Sequence, residues 1–283
     1  MCNACNPALN PKQYRHRWEM PLVALAWILS IAAVCVSLTI TIFYSDLADS
    51  EKIEDFRWIL NAGYLVLLTP FAAGVARFYQ AAKERSNGAL VGPRQFPEIW
   101  ETYTDLLAKF DLPNAPALYV VNGNGSVNAY AMSCSVRRKY VVLNAEIAAL
   151  SQTDPNIVRF VLAHELAHHK LGHVTLVRIV IGAVMRSLFL PGKAMIRAQE
   201  YSADRLAMAV CPDAADTLAF LTVGPWMAGR LNADAFAEQM AQEDRSPMVR
   251  LVNIASDHAV TTKRFKALRD IARHGFERHG QMF

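Results

Sequence analysis

The pattern with the clearest chemical meaning is the segment HELAH, in which His164 and His168 stand four positions apart. On a helix this spacing places both imidazoles on one face, where a single metal ion can bind them. Glu165 lies about 100° further round and can reach a water molecule in the open position of a tetrahedral zinc ion. A carboxylate there can accept a proton as the water attacks a carbonyl and later deliver it to the leaving amine.

The residues around this motif favour a metal site over a solvent-exposed helix with scattered histidines. Val161, Leu162, Leu166 and Leu171 surround it with apolar side chains. Burial of unpaired histidine and glutamate side chains among them would be costly, and metal binding removes that cost. The pattern therefore predicts a metal-binding helix.

A zinc site with two histidines requires a third protein ligand. The best candidate lies in the segment RAQEYSADR, where Glu200 and Asp204 are again four residues apart. One of them can bind the metal, and the other can accept an imidazole N–H from a ligand histidine. The spacing gains meaning because an apolar run that could turn the chain back separates it from His168. His169 and His173 fall off the ligand face and are expected to pack or to face solvent.

Taken together, these segments resemble peptidase family M48, which carries an HELGH motif followed by ExxAD. HELAHHKLGHV and EYSADR match that arrangement, VNAYA is similar to the family's N-A-F-A strand, and DHAVTTKR is similar to its His-Pro…Arg segment. The resemblance extends from about residue 97 to 270, and the apolar segments before it are similar to the HtpX-like branch. Ala167 replaces the usual glycine and Ala259 the usual proline, and neither change removes a reactive group.

The resemblance implies a zinc metalloendopeptidase with one Zn²⁺ per chain. Its functional residues map onto three zinc ligands, His164, His168 and Glu200; a general base and acid, Glu165; a residue that orients a ligand histidine, Asp204; an oxyanion-stabilising residue, His258; and an electrostatic support, Arg264. Without the resemblance, the segment around His258 and Arg264 would indicate only a basic helix, with His258 a surface histidine at its start.

The strand similar to N-A-F-A is predicted to lie at the edge of a sheet beside the cleft. There Asn128, Ala129 and Tyr130 would bind an extended substrate through backbone N–H and C=O groups. The alternative is an ordinary core strand.

The composition excludes some classes of protein. Hydrophobic residues make up 53% of the 283 residues and charged residues 19%, a shift toward membrane-associated chains. The net charge is only +4, and no lysine or arginine block indicates a nucleic-acid partner. The five cysteines do not form a secreted disulfide framework. Cys2 and Cys5 lack a second pair for a four-cysteine zinc site, so a disordered tail or acylation is expected there.

Two uncharged runs, residues 20–45 and 58–76, are each long enough to cross a bilayer. A buried core helix is the alternative for the first run, and a re-entrant or interfacial segment for the second. A third apolar run, residues 174–190, contains Arg178 and Arg186, which are costly at bilayer depth. A helix packed on the domain is therefore expected there rather than a third span.

Charges at the ends of the two runs predict an orientation. Basic residues precede the first run and follow the second: Lys12, Arg15, Arg17, Arg77, Lys83, Arg85 and Arg94. The connection between the runs carries five acidic residues. The positive-inside rule then predicts a multi-pass membrane protein with both ends and the catalytic domain in the cytoplasm. The resemblance to the HtpX-like branch implies the bacterial inner (plasma) membrane.

The predicted fold is mainly α with a small β-meander, a zincin-like metallopeptidase domain attached to an N-terminal transmembrane helical hairpin. We divide the chain into a cytoplasmic tail, 1–19; the hairpin, 20–80; a linker, 81–96; and the peptidase domain, 97–283. Within that domain an amphipathic helix opens at Pro97, strands are predicted at 117–121, 127–132 and 140–143, and the pattern is helical from Pro155 onward.

The expected function is peptide-bond hydrolysis in quality control of membrane or misfolded proteins. Its partners are protein or peptide substrates and the lipid bilayer, with no nucleic acid. A narrow-specificity processing peptidase uses the same chemistry, but the many-helix membrane chamber of the prenyl-protein branch is missing. A non-proteolytic metal-binding scaffold or chaperone would have no use for Glu165. A deformylase would need a cysteine motif that Cys134 does not provide.

Overall fold

The computed structural model describes residues 9–46, 57–112, 114–256 and 258–282. Cys2 and Cys5, most of the acidic connection between the two apolar runs, and Asp257 lie outside the described residues. The N-terminal helices are α1 Pro11–Tyr14, α2 Glu19–Asp46 and α3 Arg57–Asn87. The long helices α2 and α3 pack against each other, with Gly63 of α3 lying against the backbone of Ser37.

Helices α2 and α3 correspond to the two uncharged runs. Both are long and apolar enough to cross a membrane, over Glu19–Phe43 and Asn61–Asn87. Their outer faces leave large apolar side chains exposed, including Trp27, Ile31, Phe43, Leu65, Phe71 and Tyr79. Helix α3 continues to Asn87, so the first part of the expected 81–96 linker is helical instead.

The sheet has four strands: β1 Ala89–Leu90, β2 Ala117–Val121, β3 Ala129–Ser133 and β4 Lys139–Asn144. Their order is β1-β2-β4-β3, in which β2 and β4 are parallel and the other two pairs antiparallel. The expected meander is therefore wrong. Strand β4 pairs with β3 in a hairpin and, in parallel, with β2, so β4 lies between them and β3 is at the edge. The short strand β1 lies inside the expected linker.

Nine further helices complete the domain: α4 Pro97–Phe110, α5 Ala145–Ala148, α6 Pro155–Lys170, α7 Leu176–Ser187, α8 Phe189–Val210, α9 Thr217–Val223, α10 Ala233–Glu243, α11 Pro247–Ala255 and α12 Thr261–His274, in the part of the chain described. Helices α4, α6 and α11 start at proline, whose missing N–H costs nothing in a first turn. Pro191 lies in the first turn of α8, three residues after the break between α7 and α8 at Leu188.

Helix α6 is the centre of the core and packs on β3, α4 and α8. Small residues on both helices, including Ala163 and Ala167 of α6 and Ala203 and Ala207 of α8, are completely buried. Small side chains allow the two helix axes to approach closely. Leucine side chains such as Leu162 fill the space around them, and burial of each contributes about 1.5–3 kcal/mol. This packing brings the polar faces of α6 and α8 together.

The third apolar run forms α7, which packs on α8 and on both long apolar helices. The Ser30 hydroxyl of α2 donates to the Ile181 carbonyl of α7 at 2.7 Å. The expectation of a helix packed on the domain is confirmed, and α7 also joins the domain to the N-terminal helices.

Segments from opposite ends of the described chain meet on α8. The Arg205 guanidinium donates to the carbonyl of Tyr14 at 3.0 Å and also to the carbonyls of Phe276 and Arg278. A ring nitrogen of His16 lies 2.9 Å from the Gly280 carbonyl. Residues 11–19, which were expected to be a tail, are therefore bound to the domain.

Candidate metal centre

Helix α6 carries the HELAH segment, and its geometry agrees with the predicted face. His164 and His168 are both nearly buried, and their Nε2 atoms lie 3.1 Å apart. Ala163 and Ala167, each one position before a histidine, are completely buried in the core. The two imidazoles therefore converge on one point, as the four-residue spacing predicts.

Glu200 of α8 completes the cluster. Its Oε2 lies 3.6 Å from Nε2 of His164, and its Oε1 lies 3.5 Å from Nε2 of His168. One ligand atom from each of the three residues falls within 4.8 Å of the others, so the three could hold a metal ion together. Two imidazole nitrogens and one carboxylate leave a fourth tetrahedral position open, as in catalytic metal sites.

The charge states of the cluster fit a metal. Burial lowers the pKa of His168 well below its usual value, so its ring is neutral and can bind a cation. Burial opposes a charge on Glu200, but hydrogen bonds to His164 and His258 outweigh it and hold its pKa well below the usual range. Burial also opposes a charge on His164, yet Asp204 and Glu200 raise its pKa to about 10. Without a metal, the His164 ring is therefore protonated at neutral pH. The negative charge that holds this proton would equally attract a metal cation, which would displace it.

Asp204 and Arg264 support the cluster from behind. Oδ1 of Asp204 lies 2.9 Å from Nδ1 of His164, the ring atom on the side away from the cluster centre. Arg264 of α12 holds that carboxylate with two hydrogen bonds, of 2.8 and 2.6 Å, and its Nη1 lies 3.4 Å from Glu200. A bidentate arginine fixes the orientation of the carboxylate and balances its charge.

Glu165 lies next to the cluster and lines the same cleft. Burial raises the pKa of its carboxyl to about 7, and the backbone N–H of Ala131 in β3 lies within its reach. A carboxyl group with a pKa near neutrality can both accept and return a proton. The structure thus places a carboxyl group suited to acid–base chemistry beside the three side chains that could bind a metal.

His258 lies at the mouth of the cleft. Its Nδ1 is 3.4 Å from Oε1 of Glu200, and its side chain is 68% exposed. The contact with Glu200 raises the pKa of the ring, which favours the positively charged form. The histidine can therefore direct a donor into the cleft.

The cleft has a volume of about 420 Å³ and is bounded by β3 on one side. Asn128, Ala129 and Tyr130 line it, and β3 is an edge strand, as predicted. The Asn128 carbonyl accepts from the Asn144 N–H of the neighbouring strand. Bonded and non-bonded pairs alternate along an antiparallel ladder. The N–H and C=O groups of Ala129 and Ala131 consequently face the open side.

Several residues of the site escaped the sequence analysis. The cleft is also lined by Leu218, Leu221 and Thr222 of α9. Nothing in that short apolar helix distinguishes it from other core segments. His173 was expected to pack or face solvent; it is buried, and its ring contacts His168 of the cluster, with their Nδ1 atoms 2.9 Å apart.

The protein is mainly helical, and its cleft holds three side chains that could bind a metal ion, two from HExxH on one helix and a glutamate on a second. The sequence profile of Peptidase family M48 matches residues 93–272, and the chain belongs to that family. Comparison with curated proteins and with solved structures gives no match. The protein is therefore a metallopeptidase, and the resemblance inferred from its motifs is confirmed at the level of the family.

Proposed function

We propose that the protein is a membrane-anchored zinc endopeptidase of the HtpX-like type, which cleaves membrane or misfolded proteins at the cytoplasmic face. The observation that carries the proposal is the convergence of His164, His168 and Glu200 beside Glu165 in an open cleft. A closed structural metal site would have four protein ligands, and a carboxylate such as Glu165 beside it would have no role.

Zinc suits this donor set because imidazole and carboxylate ligands in tetrahedral geometry are typical of catalytic zinc. When bound, zinc lowers the pKa of a coordinated water and polarises the substrate carbonyl. Glu165 accepts the proton from the attacking water and transfers it to the amine nitrogen as the C–N bond breaks. Asp204 keeps His164 in the tautomer that presents Nε2 to the metal.

His258 and Arg264 supply positive charge to the site. His258 donates to the oxygen that becomes negative when the carbonyl is attacked, an interaction typically worth about a hundredfold in rate. Arg264 acts through Asp204 and Glu200, which it orients. Kinetics of His258→Phe test the role of His258. The substitution should lower kcat strongly and leave the zinc content unchanged, because only the donor to the negative oxygen is removed.

The substrate is expected to bind as an extended strand along the open edge of β3. Ala129→Pro removes an N–H that faces the cleft and not β4, so the sheet should remain intact while KM for a peptide substrate rises. Steady-state kinetics together with zinc content measure the effect.

Tyr130→Pro is the contrasting variant, because the Tyr130 N–H faces Val142 in the ladder. This change should destabilise the fold itself. If Ala129→Pro unfolds the protein as readily as Tyr130→Pro, β3 is a structural strand and not a substrate-binding one.

The membrane part of the proposal rests on the exposed apolar faces of α2 and α3. Only 17% and 6% of their most apolar windows are buried within the protein, whereas a core helix would be mostly covered. With positive charge at both cytoplasmic ends, a reporter at residue 50 should be external and one after residue 283 cytoplasmic. Protease added outside intact cells should then cut at residue 50 and leave the catalytic domain intact. Protection of residue 50 and digestion of the catalytic domain would show the opposite topology.

Digestion of casein by the purified protein tests the proposed activity. Cleavage should be present with zinc, be abolished by a metal chelator, and return when zinc is added back. A metal-binding scaffold or chaperone would bind zinc without cleaving casein. Cleavage confined to one processed peptide, with casein untouched, would indicate a narrow-specificity processing peptidase.

A further inference from the structure

The ligand histidine His168 has a buried partner on the side away from the cluster. Its Nδ1 lies 2.9 Å from Nδ1 of His173, and Nε2 of His173 lies 3.2 Å from Oε1 of Glu19. The side chains of His173 and Glu19 are 1% and 0% exposed. The three groups form a continuous hydrogen-bonded chain inside the protein.

The direction of these bonds follows from the chemistry of imidazole. If Nε2 of His168 binds a metal, the neutral ring carries its proton on Nδ1 and must donate it. Nδ1 of His173 then accepts, so the proton of His173 is on Nε2 and is donated to the Glu19 carboxylate. Every contact in this hydrogen-bonded series therefore joins one donor to one acceptor.

The two ligand histidines are thus supported in parallel ways. His164 meets a carboxylate directly, and that carboxylate, Asp204, is held by Arg264. His168 reaches a carboxylate through His173, and that carboxylate, Glu19, is held by two arginines.

The two arginines are Arg15, four residues before Glu19, and Arg178 of α7, whose Nη2 lies 2.6 Å from Oε1 of Glu19. They balance a buried charge that would otherwise be costly. The position of Glu19 is further fixed by its own segment. Arg15 donates to the Leu171 carbonyl at 2.7 Å, and the His16 N–H donates to the Ser202 hydroxyl at 2.8 Å.

We propose that Glu19 and His173 are positioning residues for the metal ligand His168. Glu19 is the first residue of α2, so the long apolar helix is directly built into the support of the metal centre. The inference rests on the proposed role of His168 as a metal ligand and extends the site to the N-terminal segment.

Zinc affinity of the full-length protein in detergent, measured by competition with a chromophoric chelator, tests this inference. His173→Phe and Glu19→Gln should each weaken zinc binding about 10- to 100-fold, the usual effect of losing a partner of a ligand histidine. The double variant should lose little more than either single one, because both changes break the same chain. His173→Asn places an amide oxygen near the Nδ1 atom of His168 as an acceptor. It should therefore bind zinc more tightly than His173→Phe.

His169→Gln is the matched control. His169 is equally buried, lies next to His168 on α6, and contacts the Tyr140 carbonyl at 3.0 Å instead of the cluster. This change should lower the melting temperature of the metal-free protein and leave zinc affinity unchanged. The same result for Glu19→Gln, a lower melting temperature with unaltered affinity, would overturn the proposal.

Two further outcomes are distinguishable. If His173→Phe does not fold, the zinc affinity of Glu19→Gln alone tests the proposal, because glutamine keeps the shape of the glutamate side chain. If wild type and His168→Ala bind zinc equally, the assignment of the metal site itself is wrong, and the positioning role is lost with it.

Discussion

A Glu165→Gln variant should retain its metal and lose about 10²–10⁴-fold in peptide hydrolysis. Glutamine keeps the shape of the side chain and its hydrogen bond to β3 but cannot accept the proton of the attacking water. The three metal-binding side chains are untouched, so zinc content should match that of the wild type. Turnover of a fluorogenic peptide, with metal content measured on the same sample, gives both quantities.

Glu146→Gln provides the control for the general effect of removing a buried carboxylate. Glu146 is about as buried as Glu165 but lies outside the cleft, where its Oε1 accepts from the Gly125 N–H at 2.6 Å. Hydrolysis by this variant should stay near the wild-type rate. Wild-type turnover in Glu165→Gln would assign the proton transfer to a different group.

Replacement of a metal ligand should have the second large effect. His164→Ala removes one of three protein ligands, and the affinity lost should exceed the roughly 100-fold that loss of a supporting residue causes. The purified variant should therefore contain almost no zinc, in place of about one ion per chain, and should not cleave peptides.

Removal of His164 also leaves Asp204 and Glu200 buried without their imidazole partner. The metal-free variant is consequently expected to be less stable than the metal-free wild type. Full zinc occupancy in His164→Ala, measured by elemental analysis after dialysis, would contradict the assigned ligand set.

Much of the metal centre could be predicted because its elements are local. His164, Glu165 and His168 share two turns of one helix, so helical geometry alone relates their side chains. Glu200 and Asp204 were recognised in the same way, since they are four residues apart on α8. What the sequence could not show is how α6 and α8 approach, which depends on small residues packed between them.

The missing parts of the prediction involve contacts between distant residues. Glu19 and His173 are separated by 154 positions, and no local pattern connects an apolar helix start with a histidine after the metal helix. The sheet order failed for a related reason. Three strands in sequence were read as neighbours in space, but β2 pairs with β4 in parallel and not with β3, and only tertiary packing selects that arrangement.

The meeting of the two chain ends on α8 has a consequence for biosynthesis. His16 and Gly280 are 264 positions apart, and the N-terminal segment of that contact also carries Glu19. At about 5–20 residues per second, a ribosome needs roughly 13–50 s to travel from one to the other. Helix α8 ends at Val210, so in the last part of this time α8 is already synthesised but not yet covered by the segment that carries Gly280. Because Gly280 follows His164, His168 and Glu200 in the sequence, the segment that closes over α8 is synthesised only after every side chain of the candidate metal cluster.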